Sequence, residues 1–245
     1  MPFSWWLALP FSVWIIYTAD HLLDARRLGP SAHTARHDFH YRYMRPLSIA
    51  CGLAIAFCLW LLTRMPIGMI YFGLIMAGLT LLHLLLVAIV GSKARHWLQK
   101  ELGVGFIYSA GVWGCPPWLF PEAYTGATWG LFAQFFILAM INLLFFSLYE
   151  RETDESDGHT SFVRAIGEQA TRRVIAALGI AGALTGIGVL IWGNEKALIA
   201  EGFYLLMLGV LLWISFDPKR FAPRERYRIW GDAVFIFPVL VWLIA

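Results

Sequence analysis

The chain has 245 residues, of which 59% are hydrophobic and only 14% charged, with a formal net charge of +3 and a mean hydropathy of +0.65. A soluble globular domain is roughly half apolar and about a quarter charged, so an ordinary soluble fold is excluded and nucleic acid is not an expected partner. Apolar runs of about 20 residues specify instead an all-α, multi-pass membrane protein, read as a single bundle over 1–245.

Eight apolar segments are expected in chain order, at about 3–20, 46–63, 66–90, 101–119, 128–149, 173–192, 197–216 and 229–245. Met1 to Trp6 carries no Lys or Arg, so the first segment reads as a mature helix and not as a cleaved leader. Cys51, Cys58 and Cys115 form no CxxC pair and read as packing residues.

The basic residues set the expected topology. Of the 19 Lys and Arg, all but Arg64 and Lys196 fall in the segments 20–45, 91–100, 150–173 and 217–228. By the positive-inside rule these four loops are cytoplasmic and both termini lie outside, an orientation expected of a bacterial inner-membrane protein. On the other side, Cys115-Pro116-Pro117-Trp118-Leu119-Phe120-Pro121 reads as a rigid aromatic outer cap, because proline cannot continue a helix interior.

Two acidic clusters then stand out at cytoplasmic helix ends. Asp20 and Asp24 close the first segment, and Glu150 and Asp154 follow the fifth. Each pair has i, i+4 spacing, which puts both acids on one helix face. Such oxygen-rich clusters suit Mg²⁺, which is usually held by one or two carboxylates together with substrate phosphates and water. The basic loop with Lys93, Arg95 and Lys100 lies between them in sequence and suits a diphosphate. Metal and cations together would stabilise that diphosphate as a leaving group. A bundle with 12 Trp, 18 Phe and 9 Tyr offers an apolar, aromatic chamber for an isoprenyl chain.

Taken singly, each of these signals has a plainer reading. Loop acids are usually just solvated, loop cations satisfy the positive-inside rule, and aromatics pack against lipid. The coincidence of two matched pairs on one side is what carries a functional reading.

These residues resemble the UbiA superfamily of intramembrane prenyltransferases. Ile16-Tyr17-Thr18-Ala19-Asp20-His21-Leu22-Leu23-Asp24 falls in the register of its first motif, N-D-x-x-D-x-x-x-D, with Ile16 and Tyr17 replacing the leading Asn-Asp. Glu150, Asp154, Gly158 and Ser161 occupy the second, D-x-x-x-D-x-x-x-G-x-x-[ST]. Phe162 to Gly167 is similar to the short helix ending in glycine that follows it, and Lys93, Arg95 and Lys100 to the family's diphosphate-binding loop. The likeness covers nearly the whole chain, which has eight expected helices where family members typically have nine. It implies Mg²⁺-dependent transfer of a prenyl group from an isoprenyl diphosphate to a lipophilic or aromatic acceptor. Asp20, Asp24, Glu150 and Asp154 would hold the metal, and Lys93, Arg95 and Lys100 the diphosphate. The acceptor is open among a quinone-ring precursor, a chlorin, a lipid headgroup and a cyclising prenyl chain. The altered first motif keeps a second reading alongside: a non-catalytic relative that binds a lipid, quinone or pigment, or serves as a subunit of a membrane complex.

Four further polar residues are candidates for the cavity: Tyr17, Asn142, Asp157 and Asp232. Asp232, one turn after Arg228, is first read as its ion-pair partner, and Asn142 as an interhelical hydrogen-bonding group. His83 reads the same way, and Glu201 as an interfacial acid that snorkels to water. His37 and His40 are spaced i, i+3 with no third ligand evident. Nearby acids favour phosphate or carboxylate contacts there over zinc.

Overall fold

The computed structural model describes residues 2–28, 35–90, 97–156 and 161–237, with the side chains of 24, 27–28, 35–37, 87–90, 97–100 and 123 outside that set. The chain is an all-α membrane protein: the described residues form helices and turns with no strand, and six helices are long and apolar enough to cross a membrane. In order the helices are α1 (Phe3–Leu28), α2 (Ala35–Arg42), α3 (Met44–Leu62), α4 (Ile67–Val90), α5 (Trp97–Trp113), α6 (Cys115–Leu119) and α7 (Gly126–Tyr149). There follow α8 (Arg151–Ser156), α9 (Phe162–Ile166), α10 (Glu168–Trp192), α11 (Glu195–Phe216), α12 (Pro218–Phe221) and α13 (Arg226–Val234). The six long apolar helices are α1, α3, α4, α7, α10 and α11.

Two of the eight expected segments differ in form. The segment expected at 101–119 is broken at Gly114, where Pro116 and Pro117 supply no amide to continue the α5 ladder and a short α6 begins instead. That expected at 229–245 is described only to residue 237, where α13 has already given way to turns.

The residues divide into two compact units, 1–78 with 153–159 and 79–152 with 160–245. In the first, α1 packs along α3 and against α2. Trp5 meets Phe72 at 6.0 Å, Phe11 meets Phe57 edge-on at 5.1 Å, and the Cys51 thiol donates to the Ile15 carbonyl at 4.0 Å.

In the second unit α7 is the central element, packed on α5, α10, α11, α9 and α13. Its start is set by Thr125, whose hydroxyl accepts from Thr128 N while Thr128 returns a bond to Thr125 N. Its body supplies the buried Leu131, Phe135, Leu138, Ile141, Leu144 and Phe145. Gly182 and Gly186 let α10 approach α7 and α11 closely, because small residues bring membrane helices into backbone contact. A Cβ at Gly186 would strike the Glu201 carboxylate and the Gln134 amide. In that space Gln134 Nε2 donates to Glu201 Oε1 at 2.9 Å and to the Gly182 carbonyl at 3.2 Å. Glu201 is therefore fully buried between helices and does not snorkel, contrary to the sequence expectation. The glycines of α10 made the room, and an acid in hydrocarbon is stabilised by a partner that donates to it.

Candidate functional site

The residues singled out by sequence fall in both units, so each group is taken within its own.

In the first unit α1 runs unbroken from Phe3 to Leu28, which places Asp20 and Asp24 one turn apart on a single helix. Asp20 is exposed, whereas the side chain of Asp24 lies outside the described set. Tyr17, one turn before His21, sets its ring edge-on to the imidazole at 4.1 Å. Asp154, on α8, is half-buried and belongs to this unit. Asp157, Lys93 and Arg95 lie outside the described residues, as does the side chain of Lys100 in the first turn of α5.

In the second unit the C-terminal end of α7 is built from side chains of several helices. Asn142, Phe146 and Glu150 recur at four-residue intervals and all meet α13. Gly231 lies against Asn142 Oδ1, a buried oxygen with no hydrogen-bond partner among the described residues. Phe146 and Tyr149 both pack on Tyr227, the latter as a parallel stack at 4.4 Å. Tyr149 donates its hydroxyl to the Ile214 carbonyl at 2.6 Å. Glu150 lies 2.7 Å from Arg228 Nη2, with only 16% and 19% of the two side chains exposed.

Arg228 also meets Glu225 at 3.1 Å and lies over the Phe146 ring at 5.9 Å. Burial works to lower the Arg228 guanidinium, but Glu150, Tyr227 and Glu225 together leave it raised. The neighbouring Tyr227 phenol is pushed up to about 12, by burial first and by the Glu150 charge second. The sequence had assigned Arg228 to Asp232 on its own helix. The structure brings it against Glu150 from another helix, and Asp232 is an exposed residue of α13.

The second motif is not one helix. Glu150 caps α7 with φ −93° and ψ 3°, and α8 starts at the next residue. Glu150 and Asp154 thus keep their sequence spacing without sharing an unbroken helix face. The short helix expected after the motif is present as α9, ending at Gly167 with φ 86°, a conformation that favours glycine. Its first amides are capped from two directions: Glu101 Oε1 accepts from Phe162 N at 3.0 Å, and Ser147 Oγ from Val163 N at 3.2 Å. Arg172, one turn into α10, donates to the Ser215 carbonyl at 2.9 Å and pairs with Glu168. Glu101, Ser147 and the Glu150–Arg228 pairing escaped sequence reading, since nothing in their spacing relates them.

These facts bear on magnesium. Among the described residues no three His, Cys, Asp or Glu side chains gather as a metal site. Glu150 has its Oε1 taken up by the Arg228 guanidinium. Asp20 is exposed and Asp154 half-buried, and one or two carboxylates suffice to hold a hydrated Mg²⁺ that also meets phosphate.

The second unit also holds a cavity of about 280 Å³, lined by Ala110, Trp113, Trp118, Tyr124, Trp129 and Phe132. It lies at the opposite end of α7 from Glu150, beside the aromatic cap. Trp113 is oriented there by donating its indole N–H to the Tyr204 hydroxyl at 3.0 Å. No known protein family matches the chain, and neither a characterised protein nor a solved structure is detectably similar to it.

Proposed function

We propose that the chain is a UbiA-like intramembrane prenyltransferase acting on an isoprenyl diphosphate at the cytoplasmic side of a bacterial inner membrane. The observation that supports this reading best is the short helix α9 that follows the second motif. Glu101 and Ser147 fasten the start of α9, and Gly167 ends it where the resemblance expects a glycine. Side chains of α5 and α7 thus hold this short helix by its first amides.

In this reading Asp20, Asp24 and Asp154 carry Mg²⁺, and Lys93, Arg95 and Lys100 take up diphosphate charge. The ion, when bound, stabilises the diphosphate as a leaving group. Glu150 is reassigned: paired with Arg228, it holds that guanidinium at the end of α7 as a fixed positive charge. The prenyl chain lies in the apolar bundle, and the acceptor is a lipophilic or aromatic molecule arriving from the membrane.

Purified protein in lipid nanodiscs, supplied with geranylgeranyl diphosphate and Mg²⁺, should release diphosphate, and chelation should stop it. Asp20→Asn combined with Asp154→Asn should abolish release. Unchanged turnover in that double variant would end the proposal.

The closed Glu150–Arg228 pair and the aromatic cavity at the far end favour a second reading, a non-catalytic relative that binds a lipid, quinone or pigment. A long apolar molecule co-purifying without metal, or a stable membrane partner, would support it against the first.

A further inference from the structure

The segment 217–228 carries Lys219, Arg220, Arg224, Arg226 and Arg228 against two acids, Asp217 and Glu225. Both acids are already engaged. Asp217 Oδ1 accepts from Arg220 N at 3.3 Å and caps α12, while Glu225 pairs with Arg228 at 3.1 Å. Arg228 itself turns to Glu150. Lys219, Arg220, Arg224 and Arg226 are exposed and form no ion pair among the described residues. Basic residues around the start of α10 behave otherwise. Arg151 and Arg172 both meet Glu168, and Arg172 also donates to the Ser215 carbonyl.

The four cations stand on anchored backbone. α12 begins where the membrane-length helix α11 ends, at Phe216. Phe221 is buried and sets its ring edge-on to Trp213 at 5.2 Å, which fixes α12 on α11. Arg220 lies over the same indole at 4.8 Å, so an aromatic ring steadies its guanidinium in place of an acid. Arg224 and Glu225 then have φ of 56° and 54°, a region that non-glycine residues seldom enter. Tyr227 docks the chain again by stacking on Tyr149. Beside these charges Trp213, Phe216, Ile229 and Trp230 are 47–68% exposed.

We propose that the stretch from Trp213 to Trp230 is a binding surface for anionic phospholipid, with Lys219, Arg220, Arg224 and Arg226 meeting headgroup phosphates. A lipid supplies both things this surface lacks: negative charge for the cations and acyl chain for the uncovered apolar side chains. Free phosphate would leave those side chains in water, and tryptophan is enriched at the membrane interface. Clusters of about four to eight Lys and Arg directly after a membrane helix attract anionic headgroups in this way. The surface is independent of prenyl transfer: it needs neither Mg²⁺ nor diphosphate and uses none of the residues assigned to them. Bound lipid ties α12 and the start of α13 to the bilayer surface.

The test uses the full chain, delipidated in nonionic micelles and titrated with phosphatidylglycerol or phosphatidylcholine, with bound lipid counted by native mass spectrometry. Wild type should hold phosphatidylglycerol about tenfold or more tightly than phosphatidylcholine, and ~0.5 M salt should erode that preference. Arg220→Gln with Arg224→Gln should weaken phosphatidylglycerol binding by about tenfold or more, whereas Arg220→Lys with Arg224→Lys should keep most of it. Arg64→Gln with Lys196→Gln removes the same amount of charge elsewhere and should leave binding unchanged. Asp20→Asn with Asp154→Asn should also leave it intact, which separates this surface from the prenyl transfer reading. Equal retention of both lipids by wild type overturns the proposal. So does an equal loss in the Arg64 and Lys196 variant, or displacement by inorganic phosphate at matched ionic strength.

Discussion

The two units use strongly apolar helices in opposite ways. Over their membrane-length windows α3 of the first unit and α7 of the second have mean hydropathies of 1.8 and 2.2, yet 17% of the α3 window is buried within the protein and 56% of the α7 window. In α7 the apolar residues are a core: Leu138, Ile141, Leu144 and Phe145 are fully covered by protein. In the first unit the same residue type at Leu53 and Leu59 of α3 and Leu74 at the start of α4 is more than half exposed and suited to lipid or a partner. Hydropathy therefore reports the solvent a helix tolerates. Which helix organises its neighbours depends on where small and polar residues let another helix come close.

The contrast can be broken or sharpened experimentally, beginning with the largest effect. Leu138→Ala should cost about 2–5 kcal/mol, because it empties a fully buried position on α7; thermal unfolding in micelles measures this. Equal stability of that variant and wild type would mean that α7 is not a packed core. Next, Arg228→Ala leaves the acid of Glu150 without its cation at 16% exposure and should cost about 1–3 kcal/mol, less than for a fully buried pair. Charge retention in Arg228→Lys should restore part of it.

Alkaline pH gives a smaller and separate handle. The Tyr227 phenol is raised to about 12 in the folded protein, so its unfolded counterpart ionises first. Its contribution is complete below pH ~10 and is lost as pH rises towards about 12. Tyr227→Phe should flatten that part of the stability curve, and an unchanged alkaline fall would argue against the burial described. At the bottom of the scale, Leu53→Ala on the exposed face of α3 should move stability by no more than about 0.5 kcal/mol. A loss comparable to that of Leu138→Ala would erase the distinction between the units.

What was legible in the sequence follows from the same physics. Apolar runs announce membrane helices whatever their neighbours, so the all-helical membrane character could be read directly. Spacing along one helix is also readable, and α1 does place Asp20 and Asp24 one turn apart. Contacts between helices were not, because they depend on how each helix is rotated and how near it comes. Arg228 has an acid four residues along its own helix, but the fold brings it against Glu150 of another. Glu201 looked interfacial until Gly182 and Gly186 of α10 opened a place for it beside Gln134. His21 gave no sign of its proximity to His40. The break at Glu150 was hidden as well, since an i, i+4 pair of acids is written identically across a helix and across its end.

The Gln134 amide has one more consequence. With Nε2 shared between the Gly182 carbonyl and Glu201, it acts as an indexing pin through α7, α10 and α11. A turn of any one of these helices about its axis by even a single residue position would carry its group out of reach of the other two. Those three helices are thereby locked in rotational phase, like meshed gears with a bolt through the teeth. Any helix movement in the second unit that keeps both bonds must therefore carry α7, α10 and α11 together.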